Sequence, residues 1–211
     1  MVGTTQETIA VFAKRYLEGL KQVMDRMDTG QIVAFVEELK KAYERDGQIF
    51  IIGNGGSAGT ASHMACDLAK TVLGRVQSRS HRRFRVMSMT DNMPLITALG
   101  NDMGFDHVFT EQLLLYGREG DLLVVISGSG NSENIVRAAS LARAMNMRTA
   151  GLLGFDGGRL LKMLDVYVLV PDFTYGYVED LHMVMDHMIT AYFCQDFESS
   201  LAALGAKERS A

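Results

Sequence analysis

Two short loops rich in glycine and serine carry groups suited to holding a phosphate. The first reads GNGGSA over 53–58 and the second reads SGSGNS over 127–132. Each loop follows an apolar run, at 48–52 and 122–126, and each precedes a segment with helical spacing. A strand that turns through small residues into a helix directs free backbone N–H groups at one point, where the partial positive charge of the helix terminus favours an anion. Two such loops predict a phosphorylated ligand held from two sides.

Histidines and carboxylates elsewhere in the chain are candidates for acid/base chemistry or for binding a metal. His63 and Asp67 stand four residues apart after the first loop, so a helix would place them on one face. A segment near the end of the chain adds Glu179, His182, Asp186 and His187. Imidazoles and carboxylates are plausible zinc ligands. A lone histidine on a helix is more often structural, but this pair follows a phosphate loop, which favours a functional role.

The elements that must position these groups follow from the apolar periodicity. Helical spacing covers 6–28 and recurs from Ile32 to Tyr43. Strands are predicted at 48–52, 84–89, 121–126, 148–153 and 166–170, and helices at 57–73, 92–100, 104–117, 131–146, 157–163 and 177–197. This alternation predicts an α/β fold with right-handed crossovers and a parallel sheet covered on both faces. Such a sheet binds ligands at the carboxyl ends of its strands, where both loops lie.

Asp91 and Asn92 also lie at this edge, after the second predicted strand, where they cap a helix or contact a substrate. Asp91 bears on a nucleotide alternative as well, because GNGGSA fits a loose Gly-x-Gly-x-x-Ala dinucleotide fingerprint. That fingerprint requires an acidic residue about 20 positions later to hold the ribose. Asp91 lies well beyond that spacing, so we expect no nucleotide cofactor.

The composition is that of a globular domain without a bias toward membranes or nucleic acids. The chain has 211 residues, of which 47% are hydrophobic and 22% charged, and its net charge is −4. Negative charge argues against a general affinity for nucleic acid, and no apolar run approaches the ~20 residues that span a bilayer. Cys66 and Cys194 form no CxxC motif. We expect a cytoplasmic protein whose cysteines are reduced.

Four motifs in order carry a resemblance that covers nearly the whole chain: GNGGSA, ALGNDMGF, ISGSGNS and VEDLHMVMDH. The chain resembles the sugar isomerase (SIS) family, and within it the phosphoheptose isomerases. The resemblance implies a three-layer α/β/α fold with a five-stranded, parallel, flavodoxin-like sheet preceded by two helices. It also implies a homotetramer built partly through those helices. We therefore expect an oligomerisation segment at 1–46, an SIS domain at 47–198 that forms one structural unit with it, and a tail at 199–211.

The resemblance further implies the interconversion of sedoheptulose 7-phosphate and D-glycero-D-manno-heptose 7-phosphate. This isomerisation needs a base, an acid and electrostatic stabilisation of an enediolate. By resemblance Asp67 and His187 form the catalytic pair. Zinc, which some family members bind, is a candidate cofactor at one ion per active site, with His63, Asp67, Glu179 and His187 as ligands. The expected substrate-binding residues are Asn54, Gly55, Gly56, Ser57, Asp91, Asn92, Ser127, Gly128, Ser129, Ser132 and Glu179.

The position of Glu179 raises a geometric alternative for the metal. Eight helical residues separate Glu179 from His187 by about 12 Å along the helix axis. Both side chains therefore reach one ion only if Glu179 lies at or before the helix start. Otherwise His182 and Asp186, which stand four residues apart, form a competing site.

Several residues depart from the family pattern, and all of them fall in the expected site. The family's glutamate is Asp67 here, its glutamine is Glu179, a threonine of the second loop is Gly128, and an arginine is Thr71. A displacement of about 1 Å at a reacting group, such as the shorter Asp67 side chain produces, can cost ~100-fold in rate. These changes leave open whether the substrate is a different ketose phosphate.

Two functions of another class compete with an isomerase. A close relative of the phosphoheptose isomerases binds the bacterial replication initiator, and a phosphosugar sensor would bind its ligand without converting it. Asp67 and His187 keep the acid/base pair in altered form, which favours an enzyme. Turnover of a sugar phosphate would separate the enzyme from both rivals.

Overall fold

The computed structural model describes residues 7–73 and 82–208, with side chains as far as 199. In chain order the helices are α1 (Ile9–Met24), α2 (Thr29–Glu44), α3 (Gly56–Ala69), α4 (Met93–Asp102), α5 (Val108–Tyr116), α6 (Glu133–Ala144) and α7 (Tyr175–Glu208). The strands are β1 (Gln48–Gly53), β2 (Arg85–Ser88), β3 (Leu122–Ser127), β4 (Arg148–Gly154) and β5 (Val166–Val170).

The five strands form one parallel sheet in the order β2-β1-β3-β4-β5. All six residues of β3 are buried, which explains why its sequence is a continuous apolar run rather than an alternating one. The chain moves from β1 to one side and then returns to β3 on the other side. The switch point between β1 and β3 is where a doubly wound sheet binds ligands.

Helices cover both faces of this sheet and bury two apolar layers. On one face α2, α3 and α7 contribute Phe35, Met64, Leu68, Ile189 and Phe193. On the other face α5 and α6 contribute Phe109, Leu113, Ile135, Ala138 and Ala142. The predicted three-layer α/β/α fold with a five-stranded parallel sheet is therefore confirmed.

The two leading helices pack on the rest of the chain through polar contacts as well as apolar ones. The Tyr16 hydroxyl on α1 donates a 2.7 Å hydrogen bond to Asp180 on α7. On α2, the side-chain carbonyl of Gln31 accepts a 2.9 Å hydrogen bond from the Leu169 amide of β5. The segment expected at 1–46 is thus joined to the sheet over the part that the structure describes, which begins at residue 7.

Several predicted bounds differ from the structure for local reasons. The helix expected over 57–73 ends as α3 at Ala69 and continues as a 3₁₀ turn over Thr71–Leu73. The segment 157–163 forms only a 3₁₀ turn, Gly158–Lys162, after Gly157 in the left-handed conformation at φ 79°. The last helix begins at Tyr175 rather than 177 and runs to Glu208. Most of the expected tail at 199–211 is therefore helical as far as the structure describes it.

No helix among the described residues is both long enough and apolar enough to cross a membrane.

Candidate active site

The two serine loops meet at the switch point of the sheet. Gly53 at the end of β1 pairs with Ile126 of β3, so both loops leave neighbouring strands at the same edge. They enclose a cavity of about 140 Å³. It is lined by Asn54, Ser57, Ile126, Ser127, Gly128, Ser129, Ser132, Ile135, Tyr175 and Glu179. The structure thus brings together the serines that the sequence predicted would hold a phosphate.

The first loop requires glycine at Gly55 for its backbone conformation and at Gly53 for close packing. Gly55 precedes α3 with φ 56°, a conformation that residues with a Cβ rarely adopt. A Cβ on Gly53 would collide with the backbone oxygen of Ser57. The Asn54 side chain exchanges two amide hydrogen bonds of 2.8 and 3.0 Å with Asn134 on α6. This reciprocal pair ties the first loop to the helix that follows the second loop.

The second loop is held by its own hydroxyl groups, and some hydroxyls stay available. Ser127 Oγ accepts a 3.1 Å hydrogen bond from the Gly130 amide, and Ser129 Oγ accepts one of 3.3 Å from the Asn131 amide. Ser132 stands at the N-cap of α6, yet its side chain makes no capping hydrogen bond. The Ser57 hydroxyl likewise bonds to no residue in the described part of the chain. Hydroxyls at the N-termini of α3 and α6 are therefore available to an anion.

Four side chains from α3 and α7 form a second cluster beside these loops. Ligand atoms of His63, Asp67, Asp186 and His187 all lie within 4.8 Å of one another. His63 Nε2 is 3.2 Å from His187 Nε2, 3.6 Å from Asp67 Oδ2 and 4.0 Å from Asp186 Oδ2. Thr71 donates a 2.8 Å hydrogen bond to Asp67 Oδ1, which fixes that carboxylate. The group has the donor atoms of an acid/base pair and of a metal site.

Asp186 is the buried member of this cluster. Its side chain is 1% exposed, and neither carboxylate oxygen has a hydrogen-bond partner. Burial raises the pKa of Asp186 to about 7, and the negative charge of Asp67 adds to the rise while His63 opposes it. A carboxylate in this position is stable only with a proton or a cation beside it.

His182 lies one turn before Asp186 and is buried as well. Burial lowers its pKa to about 4, although the nearby Leu153 backbone acts in the opposite direction. Neither ring nitrogen makes a hydrogen bond of ordinary geometry, and the Thr190 hydroxyl one turn after Asp186 is also unpartnered. His182 is not part of the four-residue cluster. Asp186 instead lies in that cluster with His63, Asp67 and His187.

Glu179 belongs to the phosphate cavity rather than to the four-residue cluster. The helix begins at Tyr175, so Glu179 lies in the second turn of α7 rather than at or before its start. A Cβ on Gly56 would lie 2.7 Å from Glu179 Oε1. Glu179 thus stands opposite the start of α3, and its expected contact with the substrate cavity has a structural basis.

Helices α3 and α7 run side by side in the same direction. Glu179 lies opposite Gly56, His187 contacts His63, and Cys194 Sγ donates a 3.4 Å hydrogen bond to the Thr71 carbonyl. At 1.5 Å per residue, the level of the phosphate cavity and the level of the two histidines are about 10–12 Å apart. The pair of helices therefore presents the serine-lined cavity and the cluster of His63, Asp67, Asp186 and His187 in line.

Asp91 and Asn92 have internal partners outside the cavity. Asn92 caps α4 by accepting a 3.2 Å hydrogen bond from the Leu95 amide. Asp91 accepts from the hydroxyl of Ser62 on α3 and, at 3.4 Å, from that of Thr90. Neither residue lines the cavity described above. The structure therefore shows the capping role for Asn92. Asp91 instead holds the Ser62 side chain on the surface of α3.

Sequence reasoning missed two residues that shape the cavity. Tyr175 packs against Gly128, where a Cβ would lie 3.2 Å from the ring, so the missing threonine side chain at this position leaves room for the tyrosine. Asn134 was missed because its role depends on contact with Asn54, 80 residues away. The only signal for Asn134 in the sequence was its position in the first turn of the helix that follows the second loop.

Comparison with known proteins agrees with this geometry. A family model described as SIS domain matches residues 14–154. The phosphoheptose isomerase of Chlorobium phaeobacteroides is 36% identical over 185 residues, which cover 87% of this chain and 80% of the relative. That of Aliarcobacter butzleri is 33% identical and covers 93% of both chains.

Two solved structures similar to this chain are also phosphoheptose isomerases. The phosphoheptose isomerase of Neisseria gonorrhoeae superposes with a TM-score of 0.77 at 32% identity, covering 86% of this chain and 96% of that one. The enzyme from Francisella tularensis gives a TM-score of 0.79 at 26% identity, covering 90% and 100%. The resemblance read from the four motifs is confirmed, and the chain belongs to the SIS domain family.

Proposed function

We propose that the protein is an aldose–ketose isomerase that converts sedoheptulose 7-phosphate to D-glycero-D-manno-heptose 7-phosphate through an enediol. The observation that carries this proposal is the alignment of a phosphate cavity and an acid/base cluster along α3 and α7. Their separation of about 10–12 Å along the helices suits an extended seven-carbon sugar with a terminal phosphate. The names of the relatives support the choice of substrate.

The phosphate end of the substrate is assigned to the serine loops. Ser57, Ser129 and Ser132 offer hydroxyls, and the N-termini of α3 and α6 offer backbone N–H groups. Ser127 Oγ holds the Gly130 amide and thereby keeps the loop in shape. Binding energy at this end positions the distant carbonyl against the reacting groups.

The proton transfers are assigned to Asp67 and His187. One of the pair removes a proton from C1 of the ketose while the C2 oxygen is protonated, which gives the enediol. Return of a proton to C2 and loss of the O1 proton then give the aldose. Thr71 keeps Asp67 in place for this task through its 2.8 Å hydrogen bond.

Zinc, at one ion per active site, is the metal that we propose for the four-residue cluster. Tetrahedral zinc with bonds of about 2.0–2.1 Å separates its ligand atoms by roughly 3.3 Å, close to the 3.2, 3.6 and 4.0 Å measured from His63 Nε2. The unpartnered oxygens of Asp186 also fit a cation. Bound there, zinc would supply positive charge to a developing enediolate. The proposal requires no nucleotide cofactor.

We also propose a cytoplasmic homotetramer. Apolar side chains on α1 are exposed, among them Ile9 at 80% and Leu17 at 65%. A further apolar groove of about 290 Å³ lies between α2 and α7 and is lined by Val33, Met188 and Tyr192, among others. Surfaces of this kind mark protein interfaces. The free thiols of Cys66 and Cys194 agree with a reducing compartment.

The experiment that tests the isomerase is a product assay by NMR. Purified protein is incubated with sedoheptulose 7-phosphate, with and without a chelator and added zinc. We expect an aldoheptose 7-phosphate to form, and chelator to suppress its formation. No conversion under any condition would refute this substrate. Conversion of another ketose phosphate would then support the isomerase with a different sugar, whereas thermal stabilisation without product would favour a sensor.

A further inference from the structure

Tyr175, the first residue of α7, borders the serine cavity with a phenol that has no internal partner. Its side chain lines the cavity together with the loop that follows β3. The residue is 58% exposed, and no hydrogen bond joins its hydroxyl to another side chain or backbone group of 7–73 or 82–199. A tyrosine combines an apolar ring with a hydroxyl that donates a hydrogen bond. Tyr175 therefore offers an available donor at the wall of the cavity.

The backbone beneath the tyrosine ring is shaped to admit it. A Cβ on Gly128 would lie 3.2 Å from Tyr175 Cε1, which is closer than most side chains approach one another. A Cβ on Gly154, at the end of β4, would collide with Val178, three residues after Tyr175. Glycines at the ends of two neighbouring strands thus let the start of α7 lie directly on this edge of the sheet.

A second aromatic side chain holds the ring in place. Phe155 contacts Tyr175 edge to face with ring centroids 4.8 Å apart, and it stacks on Phe173 at 5.2 Å. Phe155 takes φ 55°, a left-handed conformation that is costly for a residue with a bulky side chain. Its amide donates a 3.1 Å hydrogen bond to the Asp172 carbonyl, which supports that conformation. A strained residue that braces the wall of a cavity indicates a functional task.

The charge of the cavity explains why one more hydroxyl would matter. Among the described residues that line it, none is a lysine, an arginine or a histidine, and Glu179 is a carboxylate. An anion in this cavity depends on hydroxyls, on backbone N–H groups and on the ends of α3 and α6. A phenol at position 175 adds a donor to this set.

We propose that Tyr175 is a substrate-binding residue whose phenol donates a hydrogen bond to the phosphate of the sugar, with Gly128 and Phe155 as positioning residues for its ring. The proposal rests on the function proposed above only in assigning a phosphate to the serine cavity. The start of α7 then binds the phosphate end of the substrate, whereas Asp67 and His187 act on the carbonyl end.

Binding of inorganic phosphate tests this role without any turnover. Wild type, Tyr175→Phe and Tyr116→Phe are compared by thermal stabilisation at increasing phosphate concentration, which gives the dissociation constant. A lost hydrogen bond to a charged group costs about ten- to a hundredfold in affinity. Tyr175→Phe should therefore weaken phosphate binding at least tenfold and raise KM for sedoheptulose 7-phosphate by a similar factor. Tyr116→Phe removes an exposed phenol at the end of α5 and should bind phosphate as wild type does.

A double-mutant cycle tests the positioning role of Gly128. Gly128→Ala places a Cβ against the ring, so it should weaken phosphate binding about tenfold through the displaced phenol. In the Tyr175→Ala background the ring is gone, and the same change at Gly128 should alter the dissociation constant by less than about twofold. Equal effects in the two backgrounds would overturn the positioning role.

Two results would overturn the role of Tyr175 itself. One is phosphate binding by Tyr175→Phe that equals wild type, and the other is a wild type that phosphate does not stabilise. Circular dichroism shows whether each variant is folded. Turnover of sedoheptulose 7-phosphate is measured separately. A wild type that binds phosphate through Tyr175 without converting this sugar would contradict the isomerase and support the assignment of Tyr175.

Discussion

Replacing Asp186 by asparagine should stabilise the metal-free protein above neutral pH. In the folded chain the pKa of Asp186 is raised from 3.8 to about 7, because burial penalises its carboxylate. A raised pKa means that the folded state binds this proton more tightly than the unfolded state does. The stabilising contribution of the protonated carboxyl is therefore complete below pH 3.8 and is lost as the pH rises to about 7. Asparagine resembles the protonated form at every pH.

The magnitude follows from the two pKa values. The interval from 3.8 to about 7 corresponds to at most about 4 kcal/mol at 1.36 kcal/mol per pKa unit. Because the side chain is 1% exposed, little of this is screened by solvent. We expect Asp186→Asn to exceed wild type in free energy of unfolding by about 2–4 kcal/mol at pH 8, and to match it within about 0.5 kcal/mol at pH 4.

Urea unfolding in the presence of a chelator at several pH values provides the measurement. The difference between variant and wild type cancels the contributions of titrating groups that do not interact with Asp186. Asp25→Asn, which alters an exposed carboxylate, is the matched control and should show no such pH dependence. A difference that is constant with pH, or that favours the wild type at pH 8, would refute the claim that an ionised Asp186 is buried without a partner.

Four further outcomes follow from the structure. Ser132→Ala should raise KM for the sugar phosphate at least tenfold, because a hydrogen bond to a charged group contributes about 1.5–3 kcal/mol. Its Tm should stay unchanged, since the Ser132 hydroxyl makes no capping hydrogen bond to α6. A fall in Tm with a normal KM would contradict this assignment. His187→Ala should lower kcat by about 10²–10⁴-fold, and normal turnover would remove His187 from the chemistry. Thr71→Val should lower kcat by about tenfold through the released Asp67 carboxylate, with wild-type kinetics as the refuting result. His182 has a pKa lowered from 6.5 to about 4, so its neutral ring stabilises the fold above pH 6.5, and this contribution of about 3 kcal/mol is lost between pH 6.5 and 4. The free energy of unfolding of wild type minus that of His182→Gln, from urea unfolding, should fall by this amount over that range, and a difference that does not change with pH would contradict the assignment.

The sequence predicted the sheet and the loops well because both depend on local signals. Apolar runs such as 122–126 mark buried parallel strands, and the glycines and serines that follow them are typical of tight turns. The strand order and the switch point follow from the alternation of elements together with the resemblance to a known family.

Local sequence signals could not show which side chains contact one another inside the site, because these contacts depend on how α3 and α7 pack. The sequence places Glu179 and Asp186 on the same helix, and the packing of that helix against α3 decides which of the two carboxylates lies near His63. The role of Thr71 likewise required its distance to Asp67. The pairing of Asn54 with Asn134 spans 80 residues and leaves no local pattern.

The central claim is that the cluster between α3 and α7 moves protons on a sugar phosphate through an enediol. Incubating the protein with sedoheptulose 7-phosphate in D₂O and recording NMR spectra of both sugars over time tests it most directly. We expect an aldoheptose 7-phosphate that carries solvent deuterium at C2, and a ketose pool that gains deuterium at C1. Conversion without any deuterium in either sugar over many turnovers would contradict the enediol, and no conversion at all would contradict the assigned activity.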